Sequence, residues 1–462
     1  MAVSVGRPPA RPAPRLIGLT CGYVALLMLL GGGGTPAPAS ELACQLLAAV
    51  TALVWLWVIP PGGQRHTKGL AGVAGLILAL PAAQLIPLPP LLWQALPDRA
   101  DLQAALALIG AEQSWRALSI APYRTLAALL SLAAPLLAMV LASQLDAAGR
   151  QALLKTIAAV GLLSVVIGAL QLASGGSGPV LIYGAEGGAV YGFQANRNAQ
   201  ADVLLIALLA LVAAWAGSQD GGQSAGRGRD TWPGVAALIV LLLLAVVLTT
   251  SRTGIMLIPV ALAFAWPMAR RTLPALKLPR RVWAVSALGL AAALVWAWQS
   301  QAVARVLTRF DFAGEYRIDI WRDTWFAIQR SWPVGTGVGT FQQAIYPAER
   351  LEAIGPTLPN RAHNEMLELL LEGGLPGLAC WIAAAVIVLL ALRRALRQSQ
   401  GRERAAVLFA GGTLSVTALH AVVDYPLRSM SLAGLIGVAA GIALATGAAR
   451  LSTTTGNGDG PD

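Results

Sequence analysis

The feature that most constrains this chain is a series of apolar runs, each near the length of a membrane span. A hydrocarbon core about 30 Å thick needs roughly 20 apolar residues at 1.5 Å rise per residue. Twelve such runs can be placed, centred near Ala25, Val50, Leu80, Pro135, Val165, Leu208, Val240, Val260, Leu290, Val386, Ser415 and Val438. None carries Asp, Glu, Lys or Arg near its middle. Both faces of each run are apolar, which fits helices rather than barrel strands with a two-residue alternation. The composition agrees: 56% of the 462 residues are hydrophobic and 12% are charged, against about 25% charged in soluble domains. Too little polar surface exists to cover a soluble fold. The expected fold is an all-α integral membrane protein of about 12 transmembrane helices.

Cytoplasmic loops carry an excess of Lys and Arg, and this sets orientation. With the Arg7, Arg11 and Arg15 end inside, the inner loops hold 20 Lys+Arg and 6 Asp+Glu, and the outer loops 13 and 16. The clusters Arg270, Arg271, Lys277, Arg280, Arg281 and Arg393, Arg394, Arg397, Arg402, Arg404 then fall inside. The reverse orientation inverts the bias. The net charge of +11 therefore reports topology rather than a nucleic-acid surface. Both termini are expected to be cytoplasmic. Residues 1–299 would hold helices one to nine, 300–373 a large outer loop, 374–448 helices ten to twelve, and 449–462 a disordered inner tail. A cleavable signal peptide is the rival reading of the first segment, from the arginines, the run Leu16 to Leu30 and "APA" at Ala37 to Ala39. Cys21, Cys44 and Cys380 fall in spans and read as apolar fillers with no disulfide.

On this map the outer face collects the polar material. Within the long loop, "RIDIWRDTWFAIQRSWP" puts Ile318, Trp321, Trp325, Ile328 and Trp332 at helical spacing. This predicts either an interfacial helix anchored by tryptophans at the headgroup level or a helix packed on its own domain. "PVGTGVGTF" predicts a glycine-rich turn and lacks the strand and helix of a dinucleotide fingerprint.

Three histidines are present. His66 sits in an inner loop among basic residues and reads as solvated. His420 lies one turn before Asp424, so the two are expected to pair at i and i+4. His363 opens "RAHNEMLELLLEGGLPG". Asn360 can cap a helix running to Gly373 and Gly374, with Pro376 as a stop. His363 would then lie in the first turn, where the helix dipole keeps imidazole neutral and competent as a general base. Glu365, Glu368 and Glu372 follow on the same helix, with a wet face as the plain alternative.

Arg197 in "FQANRNAQA", Arg252 in "TTSRTGI" and Arg428 in "DYPLRSM" sit near the outer ends of spans, and Arg317 in "EYRIDIW" joins them from the loop. Arginine in tight outer turns runs against the orientation rule, and a bound anion would compensate. Guanidinium groups grip phosphate oxygens bidentately. A neutral base beside such a cluster implies a lipid carrying a diphosphate, attacked by a hydroxyl at the carbon that bears it, with the arginines stabilising the leaving group. No Asp-X-Asp pair is present to hold a metal-bound nucleotide sugar. Neither a metal nor a cofactor is expected.

The elements "FQANRNAQA", "SRTG", "PVGTGVGTF", "AHNEMLELLLEGGLPG" and "HAVVDYPLRS" occur in the order seen in the O-antigen ligase-like superfamily, which the chain resembles from about Phe193 to Arg428. These are bacterial inner-membrane enzymes acting on undecaprenyl-diphosphate-linked glycans. The resemblance implies a twelve-span helical fold, a periplasmic site, and metal-independent, inverting glycosyl transfer. Carried onto this chain, His363 is the base and Arg252 acts with it on the diphosphate, helped by Arg197 or Arg317. Asn198, Asn364, Glu372, His420, Asp424 and Arg428 complete the expected substrate-binding set. The expected partners are an undecaprenyl-diphosphate-linked glycan donor, a lipid A-core or growing-glycan acceptor, and membrane lipid. The family includes ligases, polymerases and protein O-oligosaccharyltransferases. A ligase is the leading reading, with a polymerase as the alternative. A transporter or flippase of lipid-linked sugars is the reading of a different class, and the absence of mid-span charge argues against it.

Overall fold

The computed structural model describes residues 14–34, 37–58, 68–175, 182–183, 188–219, 225–270, 316–355 and 358–448. The helices in order are α1 (Pro14–Leu30), α2 (Pro38–Val58), α3 (Lys68–Gln84), α4 (Pro90–Gln94), α5 (Ala100–Ala107), α6 (Pro122–Ser131), α7 (Ala133–Gln144), α8 (Ala147–Ala173) and α9 (Arg197–Ser218). There follow α10 (Ala225–Leu248), α11 (Arg252–Ala269), α12 (Tyr316–Ser331), α13 (Phe341–Ile345), α14 (Glu365–Gln398), α15 (Gly401–His420) and α16 (Met430–Ala448). Eleven of the twelve apolar runs centre on one of these helices. The twelfth, at Leu290, lies outside the described residues, as do His66, the arginines from Arg271 to Arg281 and the C-terminal tail.

Among the described residues, eight helices, with α6 and α7 counted as one span, are long and apolar enough to cross a membrane. Helices α1 and α3 are apolar but shorter, at 17 residues each. Helix α15 is less apolar because it opens on Arg402, Glu403 and Arg404 and carries Thr413, Ser415, Thr417 and His420. Among the described residues the only strand pairing is Pro87–Leu88 with Arg116–Ala117. The protein is an all-α integral membrane protein.

Helix α9 is the central post. It packs against α8, α10, α11 and α15, and from Ala199 to Gly217 nearly every residue is buried. Helix α16 packs closely on α7. The approach depends on missing side chains: a Cβ on Gly437 would lie 2.3 Å from Pro135 O, and one on Gly441 2.2 Å from Met139 O. Small residues that let backbones approach are the usual device of membrane helix packing, where lipid removes the hydrophobic drive. Gly441→Leu should therefore lower the thermal midpoint of the detergent-purified protein, overpacking costing about 1–3 kcal/mol or more. Gly75→Leu, where an added Cβ meets nothing within 4 Å, should leave the midpoint nearly unchanged. Equal midpoints would contradict the close approach.

Helix α12 packs one face on its own domain and leaves the other exposed. Ile320, Asp323, Thr324, Ala327 and Ile328 are buried on the inner side, where Asp323 meets Arg350 Nε at 2.6 Å and Asp319 meets its Nη2 at 2.9 Å. Trp321 also turns inward and donates Nε1–H to Ala362 O at 2.9 Å. Ile318, Trp325 and Trp332, seven residues apart, remain exposed. The glycine-rich turn after α12 places Gly335, Gly337 and Gly339 at positive φ. Thr336 N and Gly337 N donate to Leu371 O and Glu372 O, each at 2.9 Å, and Leu375 N donates to Pro333 O at 2.8 Å.

That zipper holds a break in α14. Gly374 has φ 58° and ψ −153°, and a Cβ there would lie 2.3 Å from Pro333 O. The expected stop at Gly373–Gly374 is thus a kink, after which Pro376 sits in the first turn of a resumed helix, where its missing N–H costs nothing. The expected cap is corrected by four residues: Asn364, not Asn360, caps α14, its Oδ1 accepting from Met366 N at 2.9 Å and Leu367 N at 3.1 Å. His363 therefore precedes the helix rather than lying in its first turn.

Candidate active site

Several helix ends converge at one end of the bundle. Helix α9 starts at Arg197, behind Asn196, whose Oδ1 accepts from Asn198 N at 2.8 Å. Helix α11 starts at Arg252, behind Ser251, whose Oγ accepts from Gly254 N at 3.1 Å. A Cβ on Gly254 would lie 2.3 Å from Ala201 Cβ, so the first turn of α11 rests on the first turns of α9. Two helix N-termini, each opening on an arginine, point the same way, and helix N-termini favour anions. The turn before Arg252 holds Thr250 at φ 55°.

His363 is joined to the start of α9 through Asp424 and Asn198. Its φ is 50°, an uncommon conformation for a non-glycine residue. The hydrogen bond from Glu365 N to Ala421 O at 2.9 Å ties the start of α14 to the turn after α15. The ring packs edge-on against Tyr425, with centroids 4.8 Å apart. Its Nδ1 lies 3.1 Å from Asp424 Oδ1, and the side chain is 23% exposed. A carboxylate at Nδ1 selects the tautomer with the proton there, leaving Nε2 as the basic atom. Asp424 Oδ2 accepts from Asn198 Nδ2 at 2.5 Å, and Arg317 Nη1 donates to Val423 O at 2.9 Å. Burial alone would raise the Asp424 carboxyl; the hydrogen bond from His363 and the charges of His420, His363 and Arg317 outweigh it and hold the group at about 2. Burial, then the Asp424 charge, push the Tyr425 phenol up to about 12.

The expected His420–Asp424 pair is found at ion-pair distance only, and the hydrogen bond of His420 goes elsewhere. His420 Nε2 is 3.8 Å from Asp424 Oδ2, too long for a hydrogen bond, while His420 Nδ1 lies 2.7 Å from Asp202 Oδ1. Asp202 was missed in the sequence, although a carboxylate about one and a half turns inside a span is a signal in itself. The wet carboxylate face is also corrected. Glu365, Glu368 and Glu372 are buried. Arg428 Nη2 lies 2.9 Å from Glu368 Oε1 and 3.0 Å from Glu372 Oε2, and Arg361 Nη1 lies 2.7 Å from Glu368 Oε1. Phe341 N donates to Glu372 Oε1 at 3.1 Å and Leu427 N to Glu365 Oε1 at 3.0 Å. Buried charge persists when paired in this way, so the face turned inward because two arginines stand opposite it. Burial would lower the Arg428 guanidinium, but Glu368, Glu372 and Glu365 raise it further above its ordinary range.

A cavity of about 290 Å³ opens among these groups, its polar wall formed by Arg197, Asp202, His420, Asp424 and Arg428. Of the expected residues, Asn198 and His363 stand behind Asp424, Arg317 bonds the residue before it, and Asn364 holds the start of α14. Arg252 and Glu372 are not among the cavity-lining residues.

Residues 237–382 match the family model described as O-antigen ligase. The matched segment includes Arg252, Arg317, His363, Asn364 and Glu372. It bears out the resemblance to the O-antigen ligase-like superfamily and supports a membrane enzyme of ligase or polymerase type. No curated protein matches the chain.

Proposed function

We propose that this O-antigen ligase-type chain is a glycosyltransferase that moves a glycan from undecaprenyl-diphosphate to an acceptor hydroxyl at the periplasmic face. The ligase reading, with a lipid A-core acceptor, leads; a polymerase adding to a growing glycan is the alternative. The observation that carries the proposal is the Asp424–His363 pair, joined through Asn198 to the arginine-headed start of α9, on which the first turn of α11 rests. Nε2 of His363 takes the proton of the attacking hydroxyl as oxygen bonds to the anomeric carbon. The bond from that carbon to the diphosphate breaks, and the electron pair leaves with the phosphate oxygen. Arg252, with Arg197 and Arg317, stabilises that developing charge. Attack from the face opposite the diphosphate inverts the anomeric centre. The expected reaction needs no metal and should continue in EDTA.

Transfer from purified lipid-linked donor by detergent-solubilised protein tests this directly. Arg252→Ala and Arg252→Lys should both insert normally and lose about 10- to 1,000-fold in transfer, since lysine keeps the charge but not the planar fork. Wild-type rates in both variants would return Arg252 to a turn residue. Product on lipid A-core alone supports the ligase, and longer carrier-linked glycan supports the polymerase. Transport of intact lipid-linked glycan without bond cleavage would overturn both.

A further inference from the structure

Three atoms of cavity-lining side chains are buried without a hydrogen-bond partner among the described residues: Asp202 Oδ2, His420 Nε2 and Arg428 Nε. Asp202 is fully buried and His420 is 1% exposed. Buried polar atoms are nearly always satisfied, and each exception requires a reason, such as a ligand. The Asp202 and His420 side chains are fixed from behind, because the other Asp202 oxygen and the other His420 nitrogen bond each other at 2.7 Å. The gap of 3.8 Å from His420 Nε2 to Asp424 Oδ2 is not bridged directly.

The charge around this space decides what kind of group fits. Asp202 and Asp424 face it with carboxylates. Arg197 and Arg428 also face it; the Arg428 charge is already engaged by Glu368 at 2.9 Å and Glu372 at 3.0 Å, and its Nε–H is left to donate to a hydroxyl. A diphosphate placed here would meet two carboxylates. A neutral hydroxyl would donate to Asp202 Oδ2 and exchange a hydrogen bond with His420 Nε2. Tyr191 and Tyr425 add aromatic wall, suited to the apolar face of a ring. The volume of about 290 Å³ is close to the lower end of small-molecule sites, roughly 300 Å³, a space for one ring rather than a chain of them.

We propose that this cavity is a subsite for a single neutral sugar ring, held through its hydroxyls by Asp202 and His420, with the diphosphate kept at the helix-start arginines. The inference rests on the glycan-transfer reading. The ring belongs either to the donor or to the acceptor, and separate titrations tell which.

The test uses full-length protein in detergent with Asp202→Asn and His420→Gln, varying lipid-linked donor and acceptor in turn. Loss of one such contact should raise KM for one of the two substrates roughly 10- to 100-fold, with a smaller fall in kcat. A donor effect assigns the ring to the donor, and an acceptor effect to the acceptor; either supports the subsite. Inhibition by sodium pyrophosphate should stay at its wild-type strength. Unchanged KM for both substrates in both variants overturns the proposal, as does pyrophosphate inhibition weakened as much as KM rises. A second measurement needs no transfer. Titrating free glucose or N-acetylglucosamine should raise the wild-type thermal midpoint saturably and the Asp202→Asn midpoint only by the linear effect of solvent exclusion. His420→Gln replaces Asp202→Asn in this arm if the latter does not fold. Identical shifts in wild type and variant overturn the subsite even if the protein proves to transfer no glycan, so the two readings fail separately.

Discussion

His363→Ala should insert into the membrane normally and lose nearly all glycan transfer. His363 and His420 both set Nδ1 against a carboxylate, but His363, 3.1 Å from Asp424 Oδ1, keeps 23% of its side chain exposed while His420 is buried. A positioned base of this kind is worth about 10²–10⁴ in rate, and more if the ring also orients the acceptor. His363→Gln should be nearly as damaged, because an amide keeps a hydrogen bond to Asp424 but has no atom that can take the proton. The left-handed backbone at φ 50° adds a second comparison. His363→Gly loses the same contacts to Asp424 and Tyr425 as His363→Ala but relieves the backbone strain, so its thermal midpoint should match or exceed that of His363→Ala while its activity is equally lost. A variant that is stable and inactive separates chemistry from folding. The measurement is initial transfer rate from lipid-linked donor with matched amounts of each protein. Full activity in His363→Ala would remove the base assignment.

How much of this was legible from the residues differs between scaffold and site. Spans are legible because the bilayer imposes a length and excludes charge, and both are local properties of the chain. His363 stood out because histidine is scarce and an asparagine, a helix start and a glycine break surround it. The cap was misread because Asn360 and Asn364 are equally good caps by chemistry. The choice is made by contacts from outside the segment: Glu365 N bonds Ala421 O, and Glu365 Oε1 accepts from Leu427 N. The same limit governs the carboxylates. Spacing puts Glu365, Glu368 and Glu372 on one helical face, but only the fold brings Arg428 opposite them. A polar stripe reads as wet until its partner is known. Asp202 is a different failure. It sits inside a span, where membrane burial makes a carboxylate a functional signal, but so near the span's end that it does not interrupt the apolar run.

Asp424→Asn is expected to cost almost as much as losing the base itself. The carboxylate accepts from His363 Nδ1 through one oxygen and from Asn198 Nδ2 through the other. An amide of the same shape can keep one of these bonds. If its NH2 group faces His363, Nδ1 must become the acceptor, the ring proton moves to Nε2, and the basic atom is lost. Wrong-tautomer effects in acid–base pairs reach about 10⁴ in rate, so a fall of 10²–10⁴ is expected with little change in the donor KM. The pH dependence follows from the sign of the shift. Held at about 2 against an ordinary 3.8, the carboxyl is ionised throughout any assay near neutrality. Its contribution to stability is complete above 3.8 and is lost only as pH falls toward 2. Wild type should therefore keep its advantage in thermal midpoint over Asp424→Asn at pH 5, and the difference should shrink below pH 4. Asp424→Glu, which keeps charge and acceptor oxygens on a longer arm, should recover part of the lost rate. Equal activity in Asp424→Asn and wild type would mean that His363 does not depend on this carboxylate. A loss that Asp424→Glu does not relieve, accompanied by a lowered midpoint at pH 7, would reduce Asp424 to a brace between α9 and the turn after α15.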